Sequence, residues 1–326
     1  MSSERAKLSA FSSTPDDPMQ RVELPLELLI DAHATIGESP TWVAAENALY
    51  WIDVKAPALY RYGLADAQQR CWKLASDAGA FALTTVADGA ANAERVDGAI
   101  VALRGGVHRL DLASGETECL APPPFDPALF RFNEGICDAK GRFWVGVMFD
   151  PPQGDLAARP GSLYSWSRAD GLRHEPDAAE LHNGMAWSAD GRSFFVSHSY
   201  RREIHRFDFD PDAGKLSNRQ LFASVVGEGV GIPDGAAIDV EGGYWCALHN
   251  GGRLRRFLPD GSVDRDIELP VSKPTMCAFG GVGMDTLFIT SASDGLTPAQ
   301  REREPHAGAV FAFRPGVRGI ARPFAV

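Results

Sequence analysis

Features typical of several other protein classes are scarce in this chain of 326 residues. Its five cysteines are odd in number and form no CxxC pair, so we expect neither a disulfide framework nor a thiolate zinc site, and we predict a reducing, cytoplasmic location. Acidic residues outnumber basic ones by 43 to 32, and the net charge of −11 disfavours nucleic acid as a partner. With no apolar run long enough to cross a bilayer and no signal-peptide pattern, no membrane partner is expected.

Two common catalytic signatures are also missing. Because the chain has no GxSxG sequence, a serine-esterase mechanism has no support. The paired histidines of the HExxH zinc motif are absent as well. We therefore interpret His182, His198 and His249 as packing or loop hydrogen-bonding residues rather than as ligands.

What the chain does contain is a repeat with a period of roughly 40–50 residues, the range expected of propeller blades. Each repeat has a loop with small or acidic residues, an alternating strand, a turn of the Asp-x-x-Gly or Asp-Gly type, and an aromatic-rich strand. The six repeats begin near Glu38, Ala78, Asn133, Asn183, Pro233 and Lys273.

A stacked solenoid would show the same self-similarity. Blades of three or four antiparallel strands favour radial closure instead, because closure protects the sheet edges. We predict an all-β fold, a single six-bladed β-propeller with a central metal site over residues 23–326, preceded by a flexible polar arm at residues 1–22. A short helical turn is expected near Leu296–Arg303, and the five recurring Trp are expected to pack between blades.

Two polar stretches interrupt the repeat, ADGAANAERVDG (Ala87–Gly98) and DPPQGDLAARP (Asp150–Pro160). We interpret both as loops added at one end of a blade, where such loops can cover a site.

Polar residues recur just before the first strand of the repeats, which is where a propeller gathers its loops around the axis. They are Glu38, Asn133, Glu134, Asn183 and Asp234. Asn or Asp beside Gly is also ordinary turn chemistry, but recurrence at the same phase in four repeats favours a shared site. Carboxylate and amide oxygens are the ligands that hard cations prefer. The pattern therefore predicts one divalent-metal site at the axis, without ranking these residues.

Four segments in order, GESPTW, RFNEGICDAKGRFWVG, NGMAWSADG and PDGAAIDVEGGYWCALHNGGRL, resemble the signatures of the senescence marker protein, gluconolactonase and regucalcin family. The resemblance covers roughly Leu29 to the C-terminus. It implies a six-bladed propeller with one divalent cation (Ca²⁺, or Zn²⁺, Mn²⁺ or Mg²⁺) in the central channel. The implied metal ligands are Glu38, Asn183 and Asp234.

The same resemblance implies that Arg131 and Asn133 contact the substrate. Two departures from the family pattern stand out. Glu134 replaces the more usual Asp, and Asp150 is the nearest candidate for a further acidic substrate contact, in a Pro-rich loop that differs from the family's. Arg131 would stabilise a tetrahedral oxyanion or bind substrate hydroxyls; the alternative is a salt bridge to Glu134 or Asp138.

The function implied is a metal-dependent hydrolase that opens a sugar lactone to the aldonic acid, with a small-molecule sugar lactone as partner and a monomer or weak homodimer as the assembly. A dication polarises a carbonyl and acidifies bound water. Asp234 is the candidate general base, but a carboxylate beside a dication accepts protons weakly, so a ligand role stays open. Two alternatives are an organophosphate or aryl-ester hydrolase on the same site and a calcium-binding propeller without turnover. Neither the sugar nor the metal follows from the sequence.

Overall fold

The computed structural model describes residues 26–88, 93–151 and 158–326, and its regular structure is almost entirely β. The strands form six four-stranded antiparallel sheets. The predicted arm at residues 1–22 lies outside the described residues, as do residues 89–92 and 152–157 within the two polar stretches. The assignment of residues 23–326 to a single domain stays a prediction.

The first three blades are up-and-down sheets of consecutive strands. Blade 1 contains β2 (Gly37–Val43), β3 (Ala48–Asp53), β4 (Ala58–Gly63) and β5 (Gln69–Lys73). Blade 2 contains β6 (Ala78–Asp88), β7 (Ala93–Leu103), β8 (Gly106–Asp111) and β9 (Thr117–Ala121). Blade 3 contains β10 (Phe130–Cys137), β11 (Phe143–Phe149), β12 (Gly161–Ser167) and β13 (Gly171–Ala179).

The next two blades follow the same plan, and the last differs by taking one strand from the start of the chain. Blade 4 contains β14 (His182–Trp187), β15 (Ser193–His198), β16 (Glu203–Asp210) and β17 (Lys215–Ser224). Blade 5 contains β18 (Ile232–Ile238), β19 (Tyr244–His249), β20 (Arg253–Phe257) and β21 (Val263–Glu268). Blade 6 contains β22 (Pro274–Gly280), β23 (Thr286–Ser291), β24 (Val310–Phe313) and β1 (Glu27–Ile30).

The ring closes through blade 6. Strand β1 pairs antiparallel with β24, with Glu27 opposite Ala312 and Leu28 opposite Phe311. The innermost strands β2, β6, β10, β14, β18 and β22 follow one another around the axis, and β22 contacts β2 again. A solenoid has no such return contact, so the prediction of a six-bladed propeller is confirmed.

Aromatic side chains join neighbouring blades, as predicted for the recurring Trp. The rings of Trp144 and Trp187 lie 5.5 Å apart between blades 3 and 4, and those of Trp245 and Phe279 lie 6.4 Å apart between blades 5 and 6. Trp144 and Trp245 are fully buried. Full burial of such side chains contributes about 2–3 kcal/mol each, so these contacts hold the blades in a fixed arrangement around the axis.

One sequence interpretation was wrong. Much of the stretch Ala87–Gly98, expected to be a loop, belongs to strands β6 and β7, which extend the blade 2 hairpin beyond its neighbours. The register pairs Thr85 with Val96 and Val86 with Arg95, so the antiparallel pairing continues beyond the register shift between Thr84 and Thr85.

The expected helical turn is confirmed as α1 (Pro298–Arg303), which begins with a capping box between Thr297 and Gln300. Within the described ranges, no helix is long and apolar enough to span a membrane.

Candidate metal centre

The predicted polar residues gather at one end of the ring, the end at which every innermost strand begins. They lie inside the first part of these strands rather than before them, which corrects the sequence expectation. Glu38 is in β2, Asn133 in β10, Asn183 in β14 and Asp234 in β18. In each strand the pairing register shifts at this position. Such a bulge bends the strand and re-aims a side chain, which is common beside functional sites.

Two of the predicted residues are in direct contact. The side-chain amide of Asn133 donates to Asn183 Oδ1 at 2.5 Å and to the carbonyl oxygen of His182 at 3.0 Å. The Nδ2 of Asn183 donates to Ser199 Oγ at 3.0 Å. Because Ser199 engages the nitrogen, the carbonyl oxygen of Asn183 is the atom turned towards Asn133 and available as a ligand.

Three carboxylates interact electrostatically around the axis: Glu38 and Asp234 from the predicted ligand set, together with Glu134. Glu134 and Asp234 are 3% and 8% exposed. Burial, followed by the charges of Asp234 and Glu134, raises the pKa of Glu38 well above its ordinary value. Burial and the charge of Asp234 raise the pKa of Glu134 to about 8. The centre is therefore short of positive charge.

This donor set fits a divalent cation. Carboxylates from Glu38 and Asp234 and the amide oxygen of Asn183 are oxygen ligands of the kind that Ca²⁺ and Mg²⁺ take. A dication would offset the like-charge repulsion that raises the carboxyl pKa values. We infer that Glu38, Asn183 and Asp234 are the residues that would hold it.

Glu134 has a structural task at the same place. Its two carboxylate oxygens accept hydrogen bonds from the backbone N–H groups of Gly184 at 2.7 Å and Met185 at 2.6 Å. Gly184 has a φ of +60°, and an added Cβ would lie 2.2 Å from the Tyr244 hydroxyl, so only glycine fits there. Glu134 thus ties blade 3 to the strand that carries Asn183.

Arg131 is paired with Asp150, not with Glu134 or Asp138. Its Nε donates to Asp150 Oδ2 at 3.0 Å, and its Nη1 donates to Asn133 Oδ1 at 2.8 Å. These bonds join three predicted substrate contacts, Arg131, Asn133 and Asp150, into one chain beside the Asn133–Asn183 contact.

Sequence reasoning missed two basic residues next to this chain. Lys55 and Arg104 each donate to both Asp150 and Asp77 over 2.5–2.9 Å. Burial alone would raise the pKa of Asp150, but the charge of Arg131 and the hydrogen bond from Lys55 lower it. Lys55 and Arg104 lie in turns between outer strands, where no motif marks them.

The histidines set aside in the sequence lie close by. His249 Nδ1 is 3.4 Å from Asp234 Oδ2. His182 and His198 belong to a buried group with Asp177, one of two Asp, Glu and His triples in the described part of the chain whose ligand atoms lie within 4.8 Å of one another. The second triple is His198, Glu203 and His205. Neither triple contains a predicted metal ligand.

The guanidinium of Arg219 lies beside both triples. Arg219 Nη2 lies 3.3 Å from Nδ1 of His198 and 3.0 Å from Nε2 of His205. Because Nδ1 of His198 faces a guanidinium, it accepts, and the Nε2–H donates to Asp177 Oδ2 at 2.8 Å. Burial would raise the pKa of Asp177, but the His182 ring, whose Nε2 lies 3.5 Å from Asp177 Oδ2, and the hydrogen bond from His198 hold it well below its ordinary value. Arg219 thus supplies a positive charge to this group, while Asp177 Oδ1 and His182 Nε2 form no hydrogen bond with the described residues.

Comparison with known proteins identifies the family of this chain. A family model described as "SMP-30/Gluconolactonase/LRE-like region" matches residues 36–293. The chain belongs to this family. It is 34% identical over 298 residues to the 6-deoxy-6-sulfogluconolactonase of Pseudomonas putida, covering 91% of this chain and 97% of the relative. It is 33% identical over 294 residues to the regucalcin of Gallus gallus, covering 89% and 95%.

Solved structures of the SMP-30/gluconolactonase type share the fold. A calcium-binding regucalcin from Agrobacterium tumefaciens superposes with a TM-score of 0.81 at 23% identity, covering 92% of this chain and 96% of that one. A gluconolactonase from Xanthomonas campestris superposes with a TM-score of 0.66 at 23% identity, covering 90% and 89%. The family assignment inferred from the four sequence motifs is confirmed.

Proposed function

We propose that this protein is a metal-dependent lactonase that opens a sugar lactone to the aldonic acid. The observation that carries the proposal is the shortage of positive charge around Glu38, Glu134 and Asp234, directly beside the bonded chain of Arg131 and Asn133. A lactonase among the most similar relatives supports the same reaction class. A dication held by Glu38, Asn183 and Asp234 would supply Lewis acidity towards the lactone carbonyl.

Arg131, Asp234 and His249 are the side chains that bind the substrate and move the proton. Arg131 is held by Asp150 and Asn133, so its guanidinium has a fixed position from which to bind substrate hydroxyls or the developing oxyanion. Asp234 orients the attacking water and accepts its proton. His249 Nδ1, 3.4 Å from Asp234 Oδ2, lies where it can relay that proton to solvent, since its side chain is 24% exposed.

The substrate class has one further clue. The Pseudomonas relative is named for a lactone that carries a sulfonate. Within the described residues, the three cations Lys55, Arg104 and Arg131 form ion pairs with two carboxylates, those of Asp77 and Asp150. This excess of positive charge favours lactones with an anionic substituent, so an acidic lactone belongs in the substrate panel beside neutral ones.

Metal removal tests the proposal. Protein treated with EDTA should lose lactone hydrolysis, followed by proton release, and regain it when Ca²⁺, Zn²⁺, Mn²⁺ or Mg²⁺ is added back. We expect a loss of at least about 100-fold, since a Lewis acid supplies several kcal/mol to the reaction. Full activity after complete metal removal would contradict the mechanism.

A calcium-binding protein without turnover is the second candidate, because the centre offers only oxygen ligands and several relatives are regucalcins. The presence of Arg131 beside the centre favours the enzyme, since a pure cation site gains nothing from a nearby guanidinium. Tight Ca²⁺ binding measured by calorimetry, with no hydrolysis of any lactone in the panel, would favour this second candidate.

A further inference from the structure

The C-terminal segment, residues 314–326, packs across the end of the propeller opposite the candidate metal centre. Gly319 forms a bridge with Asp239, which follows the last residue of β18, and the N–H of Val240 donates to the carbonyl oxygen of Arg318 at 2.9 Å. The N–H of Val326 donates to Gly141, in the turn between β10 and β11. These contacts lie where the innermost strands end.

The side chain of Arg322, which belongs to this segment, extends between the innermost strands towards the candidate metal centre. Its Nη2 donates to the carbonyl oxygen of Gly135 at 3.0 Å, and its Nη1 donates to that of Pro40 at 3.2 Å. Nη1 also lies 3.9 Å from the sulfur of Met276. One guanidinium thus contacts blades 3, 1 and 6, just below the bulges that present Glu134 and Glu38.

Arg322 is also close enough to the axial carboxylates to interact with them electrostatically. Its strongest such partner is Glu134, and Glu38 is another. The other arginine near the centre, Arg131, shares Asp150 with Lys55 and Arg104, and its charge also acts on Glu38 and Asp234. Arg322 therefore brings a fixed positive charge from the C-terminal segment to the axial carboxylates, in addition to that of Arg131.

We propose that Arg322 is a built-in cation at the floor of the channel, which stabilises the metal-free centre and limits it to one moderately bound dication. The physical reason is a competition between like charges. The guanidinium lowers the repulsion among Glu38, Glu134 and Asp234 when no ion is present, and it repels a dication that binds above it. This inference depends on the ion of the proposed function but not on lactone hydrolysis.

Substitutions that change the charge at position 322 distinguish this electrostatic role from a purely structural one. Arg322→Gln keeps a polar side chain with N–H donors but loses the charge, whereas Arg322→Lys keeps the charge. We expect Arg322→Gln to bind Ca²⁺ about tenfold more tightly than the wild type, with Arg322→Lys close to the wild type. The readout is calorimetry on metal-free protein at pH 8.5, where protons compete weakly for the carboxylates.

Thermal unfolding gives a second readout that needs no activity. In Arg322→Gln the metal-free protein should unfold at a lower temperature, and saturating Ca²⁺ should raise the midpoint by more than it does in the wild type. The proposal would be overturned if Arg322→Gln and the wild type bound Ca²⁺ with equal affinity and the variant were destabilised alike in its metal-free and Ca²⁺-bound forms. Arg322 would then have a purely structural role. Absence of any Ca²⁺ binding to the wild type would overturn the proposal together with the proposed centre.

Discussion

Two groups of buried carboxylates lie at the same end of the propeller and behave in opposite ways. Around the axis, burial and neighbouring negative charges raise the pKa values of Glu38 and Glu134. Beside it, Asp177 is equally enclosed, yet the nearby His182 ring and the hydrogen bond from His198 lower its pKa. His182 and Asn183 are consecutive residues, so depth in the protein does not explain the difference. The sign of the neighbouring charges does.

This comparison separates a ligand site from a structural cluster. Asp177 has its compensating cation inside the fold, because Arg219 Nη1 lies 3.4 Å from Asp177 Oδ1. Among the axial carboxylates, Asp234 lies 3.4 Å from His249 Nδ1, and Arg131 and Arg322 supply only part of the positive charge that the three carboxylates lack. A group of buried acids that the chain leaves uncompensated is therefore a better indication of an ion site than the mere proximity of Asp and His.

The largest expected effect comes from breaking the axial group. Glu38→Gln and Asp234→Asn should each lower ion affinity by about 100-fold or more and kcat by about 10³-fold at the same ion concentration, because each removes a charged ligand. Calorimetry measures the affinity and a lactone assay measures kcat. Glu180→Gln, a matched change in an exposed pair with Arg201, is the control and should leave both quantities unchanged.

The same pair of variants resolves the role of Asp234. If Asp234 is both ligand and proton acceptor, saturating metal should restore much of the kcat of Glu38→Gln but little of that of Asp234→Asn. Equal recovery of the two variants would remove Asp234 from the catalytic step and leave it a ligand.

The next effect tests the compensated group. Asp177→Asn should destabilise the fold by about 3 kcal/mol, because it leaves Arg219 and the two histidines without their buried anion. Ion affinity at the axis should change by less than a few fold. Denaturant unfolding and calorimetry measure the two quantities, and Asp212→Asn, in an exposed pair with Lys140, should cost well under 1 kcal/mol. Loss of bound metal in Asp177→Asn would reverse the comparison, making the histidine cluster the ion site.

Much of this site could be predicted from the sequence because a repeat carries it. Periodic strands predicted the blades, and Glu38, Asn183 and Asp234 recur at the same phase, so the closure of the ring brings them to one end. The family motifs that contain these three residues then indicated that they are metal ligands. The bulges that place these residues within strands were not predicted, because register depends on pairing with the neighbouring strand.

The residues that escaped prediction share a different property. Lys55, Arg104 and Arg322 lie outside the repeated motifs, and each acts through contacts with another blade. No local pattern distinguishes such a residue from an ordinary surface cation, because its partners are decided only when the blades assemble. Asp150 shows the intermediate case, since the motif indicated its position but not the three cations that bind it.

The smallest expected effect is a pH dependence of stability confined to the axial group. Because the pKa of Glu134 is about 8 in the folded protein and 4.5 ordinarily, the folded protein holds a proton between these values that the unfolded chain has released. Metal-free protein should therefore lose stability as pH rises from 6.5 to 8, by a few degrees in Tm. The opposite contribution of His205, whose pKa is lowered by burial, fades as the pH rises above 6.5 and the unfolded histidine loses its proton.

Two conditions should flatten this slope for one physical reason. Saturating Ca²⁺ replaces the proton as the compensating positive charge, and Glu134→Gln removes the titrating group, so in both the Tm should depend less on pH over the same window. Asp177→Asn is the matched control, since Asp177 is already ionised throughout the window and its loss should leave the slope of the metal-free protein intact. A metal-free Tm that stays level or rises from pH 6.5 to 8 would show that the axial carboxylates are compensated within the fold, just as Asp177 is.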